Sequence, residues 1–284
     1  MNDLSRLTAT TATPAVHQRT RGLAQVGLER GGPRGVRLTR LYQRGSAKVF
    51  LPQIYRDRPE IVFLNTAGGL TGGDDMQFDL TLGEGVAAVA TTQTAERAYE
   101  SLGDPARMNV NLKVGSGGVL HWLPQETILF DRSTLSRRTV ADLEGDSELV
   151  MCETLVLGRA AMGEKLTDLR CHDWREVRRD GRPVLLEPFE LCTDALRERA
   201  NPALLGGAVA VASLALLTSG AQDRLGLVRA TLADLPPSVR AAASGWNDKL
   251  VVRALSSDAH ALRKMVAATL GVLTGAALPR VWAI

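Results

Sequence analysis

The sequence predicts a mainly β protein, in which two layers of stacked strands form a β-superhelical body and a few helices lie mostly near the C-terminus. In the first two thirds, short segments of alternating apolar and polar residues are separated by glycine-containing turns. Helical spacing of apolar residues is clearest in the last third. These features indicate a sandwich, a barrel or a stacked pair of sheets, and they exclude a sheet of alternating strands and helices. With 284 residues, 45% of them hydrophobic, the chain can bury a sizeable core.

The N-terminus differs from the rest of the chain. Residues 1–20 are rich in threonine and alanine and show no periodicity, so we expect a mobile tail. Residues 21–284 are predicted to form a single β-rich domain that carries a C-terminal helix at about 257–273.

Strand signals extend from about residue 21 to residue 195. Segments 49–55 and 60–65 are bounded by proline and arginine, and segment 76–82 alternates strictly between apolar and polar residues. Glycine-containing turns at 115–118 and 144–146 each separate two such segments, which predicts two hairpins. Asp180-Gly181 is the strongest hairpin signal in the chain.

Helices and one further strand are predicted after residue 192. Thr193 is expected to cap a first helix, and residues 220–234 can form a second that ends before two prolines. Residues 247–255 read as a strand. The third helix, 257–273, is the clearest, with Ser257 as its cap and Gly275 as its end. Its apolar face comprises Leu262, Met265, Val266, Thr269, Leu270 and Leu273.

Charge and cysteine content exclude several classes of protein. The net charge of +3, from 34 basic and 31 acidic residues, is mild and dispersed, which argues against nucleic-acid binding. No apolar stretch approaches the roughly 18 residues needed to span a bilayer, so no membrane partner is expected. The N-terminus lacks an apolar secretory segment, and the three cysteines are widely spaced. Both features predict a cytoplasmic protein without disulfides.

A glycine-rich loop, "NTAGGLTGGDD" at 65–75, permits three interpretations. A phosphate cradle would need a lysine where two carboxylates stand, and a helix where the strand 76–82 follows. A turn between strands is the plainest interpretation, because glycine and aspartate both suit turns. The third is a polar site in which a carboxylate touches a cation. The loop residues concerned are Gly68, Gly69, Gly72, Gly73, Asp74 and Asp75.

Several carboxylates lie beside strand ends, and three of them stand in apolar surroundings. Such carboxylates must be paired, protonated or in contact with internal water. One interpretation is pairing with Arg97, Arg132 or Arg159; the other is a polar lining that passes through an apolar body. The residues are Asp74, Asp75, Glu126, Glu153 and Glu164.

Six fragments of the chain resemble, in order and spacing, the urease accessory protein D family, called H in some organisms. They are the glycine loop, "TTQTAERAYES" (91–101), "HWLPQETILF" (121–130), "ETLVLGRAAMGE" (153–164), "RRDGRP" (178–183) and "LPRVW" (278–282). The resemblance covers roughly residues 20 to 283. One departure is Thr66-Ala67, where the family often has two prolines before its first two glycines.

The resemblance implies a protein that is not an enzyme. Members of the family bind accessory proteins F and G, of which G is a GTPase, and dock this complex onto apo-urease. Nickel then enters the urease active site, apparently through an internal channel. We therefore expect transient nickel rather than a tightly bound cofactor, and GTP only on the partner. Carboxylates suit such a path because they hold nickel more loosely than imidazole or thiolate does.

The family motifs map onto particular residues of this chain. Arg280 and Trp282, which follow the third helix, are predicted to contact a partner, with packing on the β body as the alternative. The predicted nickel path comprises the five carboxylates named above. The remaining motif residues are Gly68, Gly69, Gly72, Gly73, Thr92, Gln93, Tyr99, Trp122, Gln125 and Arg159.

Two other functions stay open at this point. A β-solenoid enzyme acting on polysaccharide would need paired carboxylates in a groove, for which Asp74, Asp75 and Glu126 are available. A plain scaffold without an ion path is the second alternative, and it predicts that no single carboxylate matters.

Overall fold

A computed structural model describes residues 18–31, 35–52, 58–159 and 162–283. The predicted tail therefore lies almost entirely outside the described residues, as does much of the predicted strand at 49–55. The helices are α1 (Thr193–Arg197), α2 (Leu225–Thr231) and α3 (Ala259–Thr274), with 3-10 turns at Ala221–Arg224 and Arg280–Trp282. The strands are β1 (Arg21–Arg30), β2 (Val36–Gly45), β3 (Ala47–Phe50), β4 (Glu60–Asn65), β5 (Asp75–Leu82), β6 (Ala87–Thr92), β7 (Glu96–Ala98), β8 (Ala106–Val114), β9 (Val119–Leu123), β10 (Thr127–Leu129), β11 (Thr134–Leu143), β12 (Glu148–Leu157), β13 (Arg170–Arg179), β14 (Arg182–Leu191), β15 (Ala210–Leu217), β16 (Val239–Trp246) and β17 (Lys249–Ser256).

The strands form two sheets, which confirms the predicted mainly β fold of stacked layers. The first sheet has the order β14-β13-β11-β8-β5-β1-β2. The second has the order β16-β17-β15-β12-β9-β6-β4-β3, and the short strands β7 and β10 pair beside β12. The central strands of both sheets are parallel, whereas antiparallel pairs close each end.

The chain winds between the two sheets in solenoid-like coils. Strands β5, β8 and β11 lie in the first sheet, and the strand that follows each of them, β6, β9 or β12, lies in the second. Each strand pairs with its equivalent one coil away, about 30 residues along the chain. The hairpins predicted at 115–118 and 144–146 are therefore wrong, because these turns are corners between sheets. Of the three predicted hairpin turns, Asp180-Gly181, with φ of 50° and 76°, is the one that closes an antiparallel hairpin, β13–β14.

The space between the sheets changes character along the coils. Residues in register stack in columns, and one column runs Met76, Met108, Arg137, Asp173. Its first two members are buried apolar side chains, whereas Arg137 and Asp173 are charged and equally buried. The interior is thus apolar near β5 and β8 and becomes charged near β11 and β13.

Helices α2 and α3 cover the outer face of the second sheet, where they form a second apolar core with β12, β15 and β17. Helix α3 buries the six residues predicted for its apolar face. Its N-cap is Asp258 rather than the predicted Ser257, since the Asp258 carboxylate accepts hydrogen bonds from the His260 and Ala261 amides. Gly275, with φ of 60°, ends the helix as expected.

Other local predictions were less accurate. Thr193 lies inside α1 instead of capping it, and its hydroxyl contacts the Asp168 carboxylate. The helix predicted at 220–234 is a 3-10 turn followed by the short α2. The strand predicted at 247–255 is confirmed as β17, whereas its neighbours β15 and β16 were not predicted. None of the helices in the described part of the chain is both long and apolar enough to cross a membrane.

Candidate functional site: a charged network between the sheets

Arg137 lies at the centre of a charged network in the interior. Its Nε and Nη2 atoms each donate to one oxygen of the Asp173 carboxylate at 2.8 Å. Its Nη1 atom donates to Thr127 Oγ1. The same atom lies 2.7 Å from Glu153 Oε2 and forms an ion pair with it, but the angles there do not suit a hydrogen bond. All three charged side chains are at most 4% exposed.

The network continues towards the surface through alternating charges. Arg175 lies 3.3 Å from Asp173 and 3.1 Å from Glu187. Glu187 also accepts from Ser213 Oγ and from Arg253 Nε, at 2.8 Å for the latter. The Arg253 side chain is 65% exposed, so the chain of ion pairs links the interior to solvent.

Burial and charge act against each other on these groups. Burial raises the pKa of Glu153 and outweighs the effect of Arg137. Burial would also raise the pKa of Asp173, but Arg137 and Arg175 outweigh it and hold that pKa below its usual value. The two carboxylates in turn raise the pKa of Arg137, although burial opposes this. Of these two carboxylates, Glu153 is therefore the one that more readily retains a proton.

A cavity of about 530 Å³ leads to the network from the edge where β14 and β16 end the two sheets. The network residues that line it are Glu153, Asp173, Arg175, Glu187, Ser213 and Arg253. Only Glu153 of these was predicted. Strand alternation could have predicted that two further network residues, Arg137 and Asp173, are buried. Arg137 lies on the same strand face as buried Leu135, and Asp173 on the same face as buried Cys171.

The glycine loop is a turn held together by the Asp74 carboxylate. One Asp74 oxygen accepts from the Thr20 amide at 2.7 Å, and the other accepts from the Thr71 amide at 2.8 Å. Asp75 is exposed at the start of β5. Both Asp74 oxygens are thus engaged by the backbone, which favours the turn interpretation over a cation site.

Two structural features explain why glycine stands at these positions of the loop. Gly68 and Gly73 adopt φ of 80° and 87°, a region that favours glycine. A Cβ on Gly69 would overlap the Tyr99 ring, and one on Gly72 would overlap Ser101.

Tyr99, Arg159 and Glu164 meet at the same corner of the solenoid as the glycine loop. The Tyr99 hydroxyl donates to the Gly68 carbonyl, and its ring packs edge-on against Phe130 at 4.9 Å. The Arg159 guanidinium lies over the Phe130 ring, with its Cζ atom 4.3 Å from the ring centroid, and it pairs with Glu164. Hydrogen bonds from Arg159 hold the pKa of Glu164 below its usual value. This confirms pairing with Arg159 for one of the predicted carboxylates.

Glu126 and Gln125 are fastened to helix α3 through Arg263. Arg263 Nη1 donates to Glu126 Oε2 at 2.7 Å and to Gln125 Oε1 at 2.8 Å. The backbone amide of Gln125 donates to Thr92 Oγ1, and this hydrogen bond joins the two motif residues. The partner of Glu126 is therefore Arg263, and that of Glu153 is Arg137, rather than Arg97, Arg132 or Arg159.

Trp282 is buried, which agrees with packing on the β body, the alternative to the predicted partner contact. Its side chain is 8% exposed, its Nε1 atom donates to the Leu123 carbonyl at 3.0 Å, and Arg263 lies over its ring. Arg280 is exposed beside it. Of the other motif residues, Trp122 is buried between the sheets with its Nε1 atom 3.4 Å from Glu153, and Gln93 is exposed.

The five predicted carboxylates do not converge on one place. Asp74 and Glu164 close loops at one corner, Glu126 faces α3, and Glu153 alone joins the interior network. Within the described ranges, no group of three or more histidine, cysteine, aspartate or glutamate side chains is arranged to hold a metal ion.

Glu96 is a further carboxylate, half-buried, which sequence reasoning missed. It lines a cavity of about 20 Å³ below the glycine loop, enough for one water molecule. Burial raises its pKa to about 7, against the opposing effect of hydrogen bonds from the Arg97 amide and Asn65. The folded protein therefore binds this proton more tightly than the unfolded chain does.

The raised pKa of Glu96 predicts a specific pH dependence of stability. Between a pH of 4.5, its usual pKa, and about 7, the free energy of unfolding should fall as pH rises, by at most ~3 kcal/mol. Glu96→Gln should remove this fall and should raise stability by ~1–3 kcal/mol at about pH 8 with little effect near pH 5. Urea unfolding at both pH values measures it, with Glu100→Gln at the surface as control. Equal effects of Glu96→Gln at both pH values would contradict the prediction.

The known proteins that this sequence resembles align with nearly the whole chain. The family model of the UreD urease accessory protein matches residues 20–283. A urease accessory protein UreD from Cereibacter sphaeroides is 54% identical, over 93% of this chain and 95% of its own length. Proteins of the same name from a Jannaschia species and from Brucella suis are 49% and 40% identical, over 96% and 94% of this chain. They cover 98% and 95% of their own lengths. The chain belongs to the UreD family of urease accessory proteins.

Proposed function

We propose that this protein is a non-catalytic accessory factor in the cytoplasm that enables insertion of nickel into apo-urease. It would act in a complex with accessory proteins F and G, and GTP would bind to the G partner. Nickel is its transient cargo, not a resident cofactor. Membership of the UreD family across residues 20–283 is the observation that carries this proposal.

The interior network supports an ion path that includes only one of the carboxylates predicted from sequence, Glu153. Glu153, Asp173 and Glu187 follow one another from the buried centre to the cavity, and each is an oxygen donor that binds nickel only loosely. Of the other predicted carboxylates, Asp74, Glu126 and Glu164 lie away from this cavity, and Asp75 is exposed at the start of β5. We therefore assign the path to Glu153 and its two neighbours rather than to Asp74, Glu126 or Glu164.

Activation of the cognate apo-urease tests the function directly. Apo-urease, partners F and G, GTP and nickel are combined with and without this protein, and urease activity is measured. We expect activation only when the protein is present. Equal activation without it would contradict the proposed role.

Single amide substitutions then test the ion path. Glu153→Gln should lower activation on the order of tenfold while complex assembly, followed by size-exclusion chromatography, is kept. Glu164→Gln, an equivalent change at the surface corner, should have little effect. Wild-type activation by Glu153→Gln, with its assembly intact, would favour a plain scaffold without an ion path.

The carbohydrate-active alternative finds little support in the geometry. It relied on Asp74, Asp75 and Glu126 as paired carboxylates. Asp74 is held by two backbone amides, and Glu126 is held by Arg263, so neither is placed to transfer protons across a groove. Absence of activity on a glycan panel is the expected result.

A further inference from the structure

The cavity between β14 and β16 has apolar walls and one charged end. Its volume of about 530 Å³ lies within the range of small-molecule sites, about 300–1,000 Å³. Apolar side chains line it from every surrounding strand except β13. They include Leu155, Phe189, Val211 and Leu255 from the core between the sheets, and Ala242 at the exposed edge.

Positive charge exceeds negative charge around this cavity. Three carboxylates line it, Glu153, Asp173 and Glu187, and the ion pairs described above use them to compensate Arg137, Arg175 and Arg253. A fourth guanidinium, that of Arg240, also lines the cavity. Its Nη2 atom donates to the Leu205 carbonyl at 3.0 Å, and no carboxylate of the described residues pairs with it. Arg240 is exposed, so its positive charge lies at the solvent side of the cavity.

A buried donor at the charged end also lacks a hydrogen-bond acceptor. Arg175 Nε is shielded from solvent and makes no hydrogen bond with the described residues, although Asp173 lies 3.3 Å away at an unsuitable angle. An unsatisfied buried N–H group of a charged side chain is costly. An acceptor that carries negative charge would satisfy this donor, and the positive charge of Arg240 would attract it into the cavity.

We propose that the cavity binds a small amphipathic carboxylate, with its apolar body against the apolar walls and its carboxylate near the arginine side chains. A purely apolar ligand would leave Arg175 Nε without an acceptor and Arg240 without a counter-charge. The proposal does not rest on the role in urease maturation, because it concerns the isolated chain.

Calorimetric titration of the full-length protein with octanoate tests the proposal. Octanoate should bind saturably with a dissociation constant below about 1 mM. Octan-1-ol, which lacks the charge, and acetate, which lacks the apolar body, should each bind at least about tenfold more weakly. Equal binding of acetate, or no saturable binding of octanoate, would overturn the proposal.

Three variants separate this site from non-specific binding. Arg240→Gln should weaken octanoate about fivefold or more and leave octan-1-ol unchanged, whereas Arg138→Gln on the outer face of β11 should change neither. Ala242→Trp should fill the mouth of the cavity and abolish binding, and thermal unfolding confirms that each variant is folded. Octanoate binding that survives Ala242→Trp would show that the ligand lies elsewhere. None of these measurements involves urease, so the outcome is independent of the activation assay.

Discussion

Replacing Arg137 by methionine is expected to lower the free energy of unfolding by about 3–5 kcal/mol, because Glu153 and Asp173 would stay buried without their counter-charge. Methionine retains much of the side-chain volume, so the loss reports charge more than packing. Urea unfolding of the purified protein measures it. Arg138 is the next residue of the same strand, but its side chain is 48% exposed and pairs with Glu176 at the surface. Arg138→Met should therefore cost less than about 1 kcal/mol.

The deficit of Arg137→Met should also depend on pH. In the wild-type protein, the lowered pKa of Asp173 contributes stability above its usual value, and that contribution is lost as pH falls. In the variant, burial without a counter-charge should raise the pKa of both carboxylates, so the variant loses stability as pH rises. Its deficit should thus be smaller near pH 5 than near pH 8. A small deficit that is the same at both pH values would contradict a buried ion-pair network.

Replacing Trp282 by alanine is expected to cost about 3–5 kcal/mol of stability, since it empties a buried site and removes a hydrogen bond to Leu123. Trp282→Phe keeps most of the apolar contact and should cost about 1–2 kcal/mol for the lost N–H donor. Trp246 provides a matched control, because it is 43% exposed on the β16–β17 hairpin. Trp246→Ala should cost less than about 1 kcal/mol.

The same variants decide between the two interpretations of the C-terminal tail. If Trp282 anchors the tail to the β body, Trp282→Ala lowers the unfolding midpoint whether or not partner F is present. If it instead contacts the partner, the variant unfolds like the wild type and loses binding to partner F. The contacts with Leu123 and Arg263 lead us to expect the first outcome. Exposed Arg280 stays a predicted partner contact, which binding assays with Arg280→Ala can test.

Local pattern was enough to predict much of this fold. The alternation of residues 76–82 predicted which face of β5 is buried, and the spacing of Leu262, Met265 and Val266 predicted the buried face of α3. Glycines in "NTAGGLTGGDD" predicted a turn, and the Asp74 contacts agree. These features depend on residues a few positions apart, so a single sequence contains the information for them.

Strand pairing required the tertiary structure. The turns at 115–118 and 144–146 reverse the chain with the same residues that a hairpin would use. Turn chemistry specifies that the chain bends, but not whether the two flanking strands pair with each other or pack face to face in separate sheets. Here each strand pairs with one about 30 residues away. The sequence repeats only the alternation at this spacing, and not the residues themselves.

The candidate site shows the same division. The sequence by itself determined that Glu153 stands in an apolar strand and must therefore be compensated, and its motifs determined the family to which the chain belongs. Only the tertiary structure decided that its partner is Arg137, that Glu126 pairs with Arg263 far along the chain, and that Trp282 is buried. The physical reason is that ion pairing and burial depend on distances in space. Any of the many arginines could satisfy a buried carboxylate, and the stacking of the coils determines which one lies within reach.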